Sequence, residues 1–267
     1  MINSTLYAGS KYLHKLKQLN ILLVEDDLLN AKLVSILFAQ YGLTLQLAVN
    51  GAEAVEKIKT NHFDMVLMDM EMPVMNGYQA TTIIRRQLKS SIPIIALTAH
   101  VLPGEREKCL QSGMNEYICK PVDAAILFKT MYNVACNNKV APAKKPAAFH
   151  KTPVVADKVC HMDYLIGATR GNKKIINSIV TVFFKETRKE LVFLNDAIEK
   201  TNYPVINDIS HKIKSAFSIL GIYVLEPVFT EMEQLSSNTS PIGKIEQLNH
   251  TINTVFKQAR AEMKAAH

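Results

Sequence analysis

The chain of 267 residues contains no apolar run that approaches the roughly 20 residues needed to cross a membrane. Residues 1–20 also lack the apolar core of a signal peptide. The four cysteines show neither a close C-x-x-C pair nor zinc-finger spacing, so we expect free thiols rather than disulfides or a metal site. These absences predict a cytoplasmic chain that makes no contact with the membrane.

The excess of positive charge lies mainly outside the segments with regular apolar patterns. The formal net charge is +7. Residues 1–19 carry three lysines and no acid, and residues 138–159 carry five lysines and one aspartate. A nucleic-acid-binding domain would show a basic stripe on a folded face. The sequence shows none, and we therefore predict no nucleic-acid partner.

Residues 20–137 alternate short apolar strands with helical patterns. The predicted strands are Ile21–Val24, Leu45–Val49, Met65–Met68, Pro93–Leu97 and Glu116–Ile118. The predicted helices cover about residues 28–41, 51–60, 77–88, 104–113 and 123–136. Five strands that alternate with five helices predict an α/β domain with a doubly wound five-stranded parallel sheet.

Residues 160–267 have no strand alternation and few glycines. Their apolar periods predict helices over about 172–200, from Pro204 to Gly221, over 222–236 and from Pro241 to 265. Four amphipathic helices with short loops predict an all-α antiparallel four-helix bundle. Residues 138–159 are rich in Pro, Ala and Lys and read as a semi-extended linker. Residues 1–19 form an N-terminal stub or linker.

Polar side chains follow four of the predicted strands. Glu25 and Asp26 follow the first strand, Asp69 the third, Thr98 the fourth and Lys120 the fifth. In open α/β sheets these strand ends meet at one edge. Carboxylates there can bind Mg²⁺ and accept a phosphoryl group, whose oxygens a hydroxyl and a lysine can bind.

Each of these residues alone has an ordinary structural explanation. An aspartate after a strand, such as Asp26, is often a helix N-cap. A threonine at a strand end is usually structural, and a Lys-Pro pair usually marks a turn. Asp27 is a further acid, but the alternation of side chains along the strand points its side chain away from the other acids. The joint order of the motifs, rather than any one of them, indicates a phosphoryl-transfer site.

The first region resembles the receiver domain of response regulators. The matching stretches are ILLVEDD, VLMDMEMPVMNG, IIALTAH and YICKP, and they span the whole region. The resemblance implies a flavodoxin-like fold in which Asp69 is the phosphoacceptor. It implies that Mg²⁺ binds Asp26 and Asp69, with Glu25 beside them, often through water. The backbone carbonyl of Glu71 completes the implied ligand set.

The same resemblance assigns roles to three residues on the later strands. Thr98 and Tyr117 are the implied switch pair, in which the hydroxyl moves to the phosphate and the ring reorients. Lys120 is implied to pair with Asp69 or its phosphate. A haloacid-dehalogenase-like phosphatase is the enzyme alternative, but it needs a second Asp two residues after the acceptor, where this chain has Glu71. The later Thr and Lys-Pro motifs favour the receiver.

His211 lies on the second predicted helix of the second region. The apolar stripe of this helix is predicted to consist of Val205, Ile209, Ile213, Ala216 and Leu220. We expect an exposed imidazole that faces away from this stripe. Lys214 and Ser215 share its helix face, and the lysine can stabilise a phosphate on the histidine. The alternative is that His211 is an ordinary surface histidine. We expect that role for the other histidines.

The segment HKIKSAFSILG resembles the signature of histidine-containing phosphotransfer domains. The matching features are His211, Lys214 three residues later and Gly221 ten residues later. Ser215 occupies a position where the family usually has glycine. The resemblance implies that His211 carries phosphate and that it is not a kinase active site. Lys214, Ser215 and Gly221 are the residues implied to support it.

The combined interpretation is a receiver (20–137) tethered by a linker (138–159) to a phosphotransfer domain (160–267), as at the C-terminus of hybrid sensor histidine kinases. The expected partners are an upstream sensor histidine kinase and a downstream response regulator. The chain has no Gly-rich nucleotide loop, so an ATP-binding kinase domain is not expected, and its status as an enzyme stays open. A scaffold that recruits partners without transferring phosphate is the alternative. The oligomeric state does not follow from the sequence.

Overall fold

The computed structural model describes residues 12–98, 104–136 and 158–265. The chain divides into two compact units, residues 1–149 and residues 150–267. Most of the predicted linker and residues 1–11 of the predicted stub lie outside the described residues. Among the helices that the structure describes, none is long and apolar enough to span a membrane.

The described part of the first unit contains a five-stranded parallel sheet in the order β2-β1-β3-β4-β5. The strands are β1 (Ile21–Val24), β2 (Gln46–Ala48), β3 (Met65–Asp69), β4 (Ile94–Thr98) and β5 (Glu116–Cys119). β1 and β3 are neighbours, and Val24 pairs with Met68. This register brings the residues that follow β1 next to the end of β3.

Helices cover both faces of this sheet. They are α1 (Leu28–Gln40), α2 (Gly51–Thr60), α3 (Gly77–Arg86), α4 (Glu105–Gln111) and α5 (Ala124–Ala135). One buried cluster joins Leu23 and Leu67 to residues of α1 and α5, and the other joins Leu22 and Val66 to residues of α2 and α3. Because both faces are covered, β1, β3 and β4 are buried along their whole length, as their continuous apolar runs predicted. The predicted doubly wound sheet is confirmed.

The described part of the second unit is all-helical, as predicted. Its helices are α6 (Asp163–Ala168), α7 (Lys173–Glu199), α8 (Tyr203–Ile219), α9 (Glu226–Ser237) and α10 (Ile242–Ala265). A 3₁₀ turn, Tyr223–Leu225, precedes α9, so that helix begins later than predicted, and α6 was not predicted. Both α8 and α10 pack against α7 and α9.

The buried stripe of α8 differs from the predicted one. Val205 is 39% exposed, and Ile206 is fully buried in its place. The most buried positions step by four and three residues: Ile206, Ser210, Ile213, Phe217 and Leu220. The centre of the stripe is therefore rotated toward Ser210, a polar residue that an apolar pattern cannot register. Its hydroxyl donates to the carbonyl of Ile206 at 2.6 Å, which makes its burial possible.

Candidate functional site

Three carboxyl groups meet at the carboxyl-terminal edge of the sheet. Glu25 and Asp26 follow β1, and Asp69 ends β3. One oxygen of each lies within 4.8 Å of the others. Glu25 and Asp69 are buried, while Asp26 is half-buried. The pairing of β1 with β3 thus brings together the acidic residues that the sequence singled out.

Lys120 joins this cluster from the end of β5. Its Nζ lies 2.8 Å from Oε2 of Glu25 and 2.8 Å from Oδ2 of Asp69, and its side chain is 8% exposed. Its backbone N–H donates to the carbonyl of Thr98 at 2.7 Å, which fixes the end of β5 against β4. The Lys120–Pro121 peptide bond is cis. One ammonium group therefore holds two buried carboxylates.

Burial and charge act in opposite directions in this cluster. Burial raises the pKa of Glu25 well above its usual range, and Lys120 partly offsets that effect. Burial alone would lower the pKa of Lys120, but Asp69 and Glu25 raise it above its usual value. Lys120 is therefore charged at neutral pH, and it is one cation among three acidic side chains.

The donor set fits a hard divalent cation. Mg²⁺ prefers oxygen ligands, in practice one or two carboxylates with water. Asp26 and Asp69 offer such oxygens beside Glu25, and the whole set lies within a few ångströms. The helix cap next to it is Asp27 rather than Asp26: Oδ1 of Asp27 accepts from the N–H of Asn30 at 2.8 Å. The cap explanation for Asp26 is therefore wrong.

The loop that follows β3 bends back over Asp69. The backbone N–H of Glu71 donates to Oδ1 of Asp69 at 3.3 Å. Gly77 opens α3, and a Cβ at that position would lie 2.4 Å from the carbonyl oxygen of Asp69. Only glycine permits this approach. The predicted role of the Glu71 carbonyl as a ligand stays a prediction.

The two residues of the predicted switch pair lie at the ends of neighbouring strands. Thr98 is the last residue of β4 and is buried. Tyr117 lies in β5, is half-buried and packs against the cluster that contains α2 and α3. Burial raises the pKa of its phenol. Their switching role stays a prediction.

In the second unit, His211 is mostly covered instead of exposed. Its side chain is 13% exposed, and its Nδ1 lies 3.4 Å from Oε1 of Glu233 on α9. Nζ of Lys214 lies 3.0 Å from Oε2 of the same carboxylate. The expectation of an exposed imidazole is wrong because it considered α8 alone, whereas α9 packs across this face.

Glu233 is a residue that sequence reasoning missed. It lies four residues after the buried Phe229 and three before the buried Ser236, so it shares the covered face of α9. The signal available in the sequence was an acidic residue at helical spacing from the buried residues of this face. Burial favours its neutral form, but contacts with His211 and Lys214 outweigh this effect and lower its pKa. Glu233 is therefore ionised at neutral pH.

Two further residues of the predicted histidine site have packing roles. Ser215 is buried, and its carbonyl accepts from the hydroxyl of Ser218 at 2.7 Å. Gly221 has φ +66°, and a Cβ there would lie 2.0 Å from the carbonyl oxygen of His161. The N–H of His161 donates to the carbonyl of Leu220 at 3.1 Å. Glycine is thus required where the segment before α6 crosses the end of α8.

Known proteins resemble this chain mainly over its first unit. The family model of the response regulator receiver domain matches residues 21–132. Hybrid signal transduction histidine kinase M of Dictyostelium discoideum is 40% identical over 124 residues, which are 44% of this chain and 5% of that protein. Sensor protein EvgS of Escherichia coli K12 is 28% identical over 219 residues, which are 81% of this chain and 17% of that protein.

One solved structure is similar to part of this chain. The receiver domain of the sensor histidine kinase PA1611 of Pseudomonas aeruginosa, with a magnesium ion in its active-site cleft, is 38% identical. The match covers 45% of this chain and 98% of that chain, with a TM-score of 0.41. The chain spans less than a fifth of the length of these two curated relatives. Residues 21–132 are a response regulator receiver domain of two-component phosphorelay signalling, homologous to the receiver domains of hybrid histidine kinases.

Proposed function

We propose that the chain is a phosphorelay protein in which Asp69 accepts a phosphoryl group and His211 carries one. The observation that supports the proposal most is the position of Lys120, whose Nζ lies 2.8 Å from the carboxylates of both Glu25 and Asp69. A buried lysine between two acids beside a third is an arrangement suited to holding a phosphoryl group and a divalent cation.

At the first site, the donor is the phosphohistidine of an upstream sensor kinase. A carboxylate oxygen of Asp69 attacks phosphorus, the N–P bond breaks, and its electron pair returns to the leaving imidazole, which takes up a proton. Lys120 and the hydroxyl of Thr98 bind the phosphoryl oxygens, and Tyr117 reorients in response. Asp26, Asp69 and the carbonyl of Glu71 would hold Mg²⁺, which would supply positive charge to those oxygens.

At the second site, Glu233 supports the chemistry of His211. Nδ1 lies 3.4 Å from Oε1 of Glu233, so a proton on Nδ1 that faces this carboxylate leaves the lone pair on Nε2, which attacks the phosphorus of an acyl phosphate. The P–O bond breaks and releases the aspartate carboxylate of the donor receiver. Lys214, held 3.0 Å from Glu233 and three residues from His211, is placed to bind the transferred phosphate.

The second unit carries the finer part of the proposal. We take α7, α8, α9 and α10 as an antiparallel four-helix bundle, since each packs against two of the others. The proposed domains are a stub (1–19), the receiver (20–137), a linker (138–159) and the phosphotransfer bundle (160–267). The match to EvgS covers 81% of the chain and so extends beyond the receiver, which supports a link between both units and sensor proteins.

The proposed partners are an upstream sensor histidine kinase and a downstream response regulator, and the chain corresponds to the C-terminal part of a hybrid sensor histidine kinase. Within such a relay the phosphoramidate and the acyl phosphate are both high-energy species. Transfer between them is therefore close to reversible, and its direction depends on which partner supplies phosphate.

Intact-mass analysis after addition of acetyl phosphate and Mg²⁺ tests the proposal on wild type, Asp69→Asn and His211→Gln. Hydroxylamine cleaves acyl phosphates, so it separates label on Asp69 from label on His211. We expect wild type to be labelled at both residues, His211→Gln at Asp69 alone, and Asp69→Asn at neither. Label that never reaches His211 would show that the two sites serve separate relays. An unlabelled wild type would contradict the proposal and favour the scaffold.

A further inference from the structure

Both carboxylate oxygens of Glu25 are engaged by other side chains. Nδ2 of Asn30 donates to Oε1 at 3.1 Å, and Nζ of Lys120 lies 2.8 Å from Oε2. All three side chains are largely buried. The carboxylate is therefore fixed at both ends, by an amide on one side and an ammonium on the other.

Asn30 is itself held in place by the start of α1. Its backbone N–H donates to Oδ1 of the cap residue Asp27 at 2.8 Å, so Asn30 is the third residue of the helix. Asparagine is a weaker helix former than alanine or leucine, so helix propensity does not favour it there. Its buried amide instead reaches five residues back along the chain to the acidic cluster.

We propose that Asn30 is a positioning residue of the phosphoacceptor site, which acts through Glu25; this inference rests on the proposed function of that site. By holding Oε1, Asn30 keeps Oε2 directed at Lys120, and Lys120 in turn stays 2.8 Å from Asp69. Glu25 thereby serves as an anchor for Lys120, while Asp26 and Asp69 are left as the carboxylates that contact the cation directly.

This arrangement has a consequence for cation binding. Without the amide, the Glu25 carboxylate can rotate, so Lys120 is no longer held at Oδ2 of Asp69 and can compete with the cation for the other oxygens of the cluster. Residues that orient metal ligands from behind typically change metal affinity by about 10- to 100-fold when removed. We expect the lower end of that range, because Asn30 acts one step away from the ligands.

Isothermal titration calorimetry, with Mg²⁺ titrated into the full chain in the absence of any phosphoryl donor, tests the inference. Asn30→Leu keeps the branched shape of the side chain and removes its donor, and Asn30→Ala removes the side chain beyond Cβ. The matched control is Asn115→Ala, since Oδ1 of Asn115 accepts from the N–H of Ile94 at 2.8 Å, beside the start of β4 and away from the acidic cluster. Circular dichroism verifies that each variant is folded.

We expect Kd for Mg²⁺ to rise about tenfold in both Asn30 variants and to stay within about twofold of wild type in Asn115→Ala. Asn30 variants that bind Mg²⁺ as tightly as wild type would overturn the role of Asn30 and leave the proposed function intact. A wild-type chain that binds no Mg²⁺ would instead overturn the proposed cation site and, with it, the inference.

Discussion

The two units each hold a lysine against carboxylate oxygens, but they balance charge differently. In the receiver, Lys120 lies between Glu25 and Asp69, with Asp26 as a third acid nearby. In the helical unit, Lys214 and the imidazole of His211 share the single carboxylate of Glu233. The first cluster has more acidic than basic groups, whereas in the second one lysine matches one acid.

This difference indicates which of the two sites needs a cation. A buried carboxylate without a compensating charge costs several kcal/mol, so a divalent ion beside Asp26 and Asp69 would stabilise the first cluster. Glu233 already has its counter-charge in Lys214. We therefore expect the proposed phosphoryl chemistry of Asp69 to depend on Mg²⁺ and that proposed for His211 to proceed without it.

The largest effect on stability is expected from removal of the two lysines. Lys120→Met leaves two buried carboxylates without their shared cation, and we expect it to lower the free energy of unfolding of its unit by about 3 kcal/mol. Lys214→Met leaves Glu233 with His211 and should cost about 1 kcal/mol. Differential scanning calorimetry in the presence of a chelator measures both. Excess Mg²⁺ should restore part of the lost stability in Lys120→Met and none in Lys214→Met. A larger loss in Lys214→Met than in Lys120→Met would contradict the difference in charge balance between the two clusters.

The next effect concerns the dependence of each site on the cation. Chelation should slow the labelling of Asp69 by acetyl phosphate at least about 100-fold, measured in His211→Gln so that no phosphate moves on. Labelling of His211 by a small phosphoramidate, measured in Asp69→Asn, should change less than about twofold. Equal losses at the two residues would show that the charge balance of the clusters does not decide their need for metal.

The receiver site could be predicted from the sequence because its parts are local. Each polar residue lies at or just after the end of a strand, and the parallel sheet brings those strand ends together. Glu25, Asp69 and Lys120 accordingly lie in contact where the motifs indicated. The contribution of Asn30 was missed because it depends on where α1 begins, and the cap is Asp27, not Asp26.

The histidine site was less predictable because it depends on contacts between helices. The period of α8 alone suggested an exposed His211, but α9 supplies Glu233 and covers the ring. The buried Ser210 also moved the core stripe by one residue, from Val205 to Ile206. Local apolar patterns contain no information on which neighbouring helix contributes a polar partner, so both errors have the same origin.

The smallest expected effect is on the pH dependence of the free energy of unfolding. The pKa of Glu233 is lowered in the folded chain, so its contacts contribute stability above the usual Glu pKa of about 4.3, and that contribution is lost as pH falls through the lower folded value. Glu233→Gln should therefore lower the free energy of unfolding at pH 7 by about 1 kcal/mol, and the difference from wild type should shrink below about pH 4. Thermal unfolding across this pH range measures it.

Glu186→Gln is the matched control for this last prediction. Glu186 lies on α7, and its pKa is lowered by a hydrogen bond to Lys189, but its side chain is 27% exposed against 12% for Glu233. Solvent screens an exposed pair, so this variant should shift stability much less at every pH. If the two variants respond alike, burial between α8 and α9 does not strengthen the contacts of Glu233. A larger, pH-dependent response of Glu233→Gln would mean that the helical unit stabilises its acid with its own lysine and histidine, where the receiver relies on a cation.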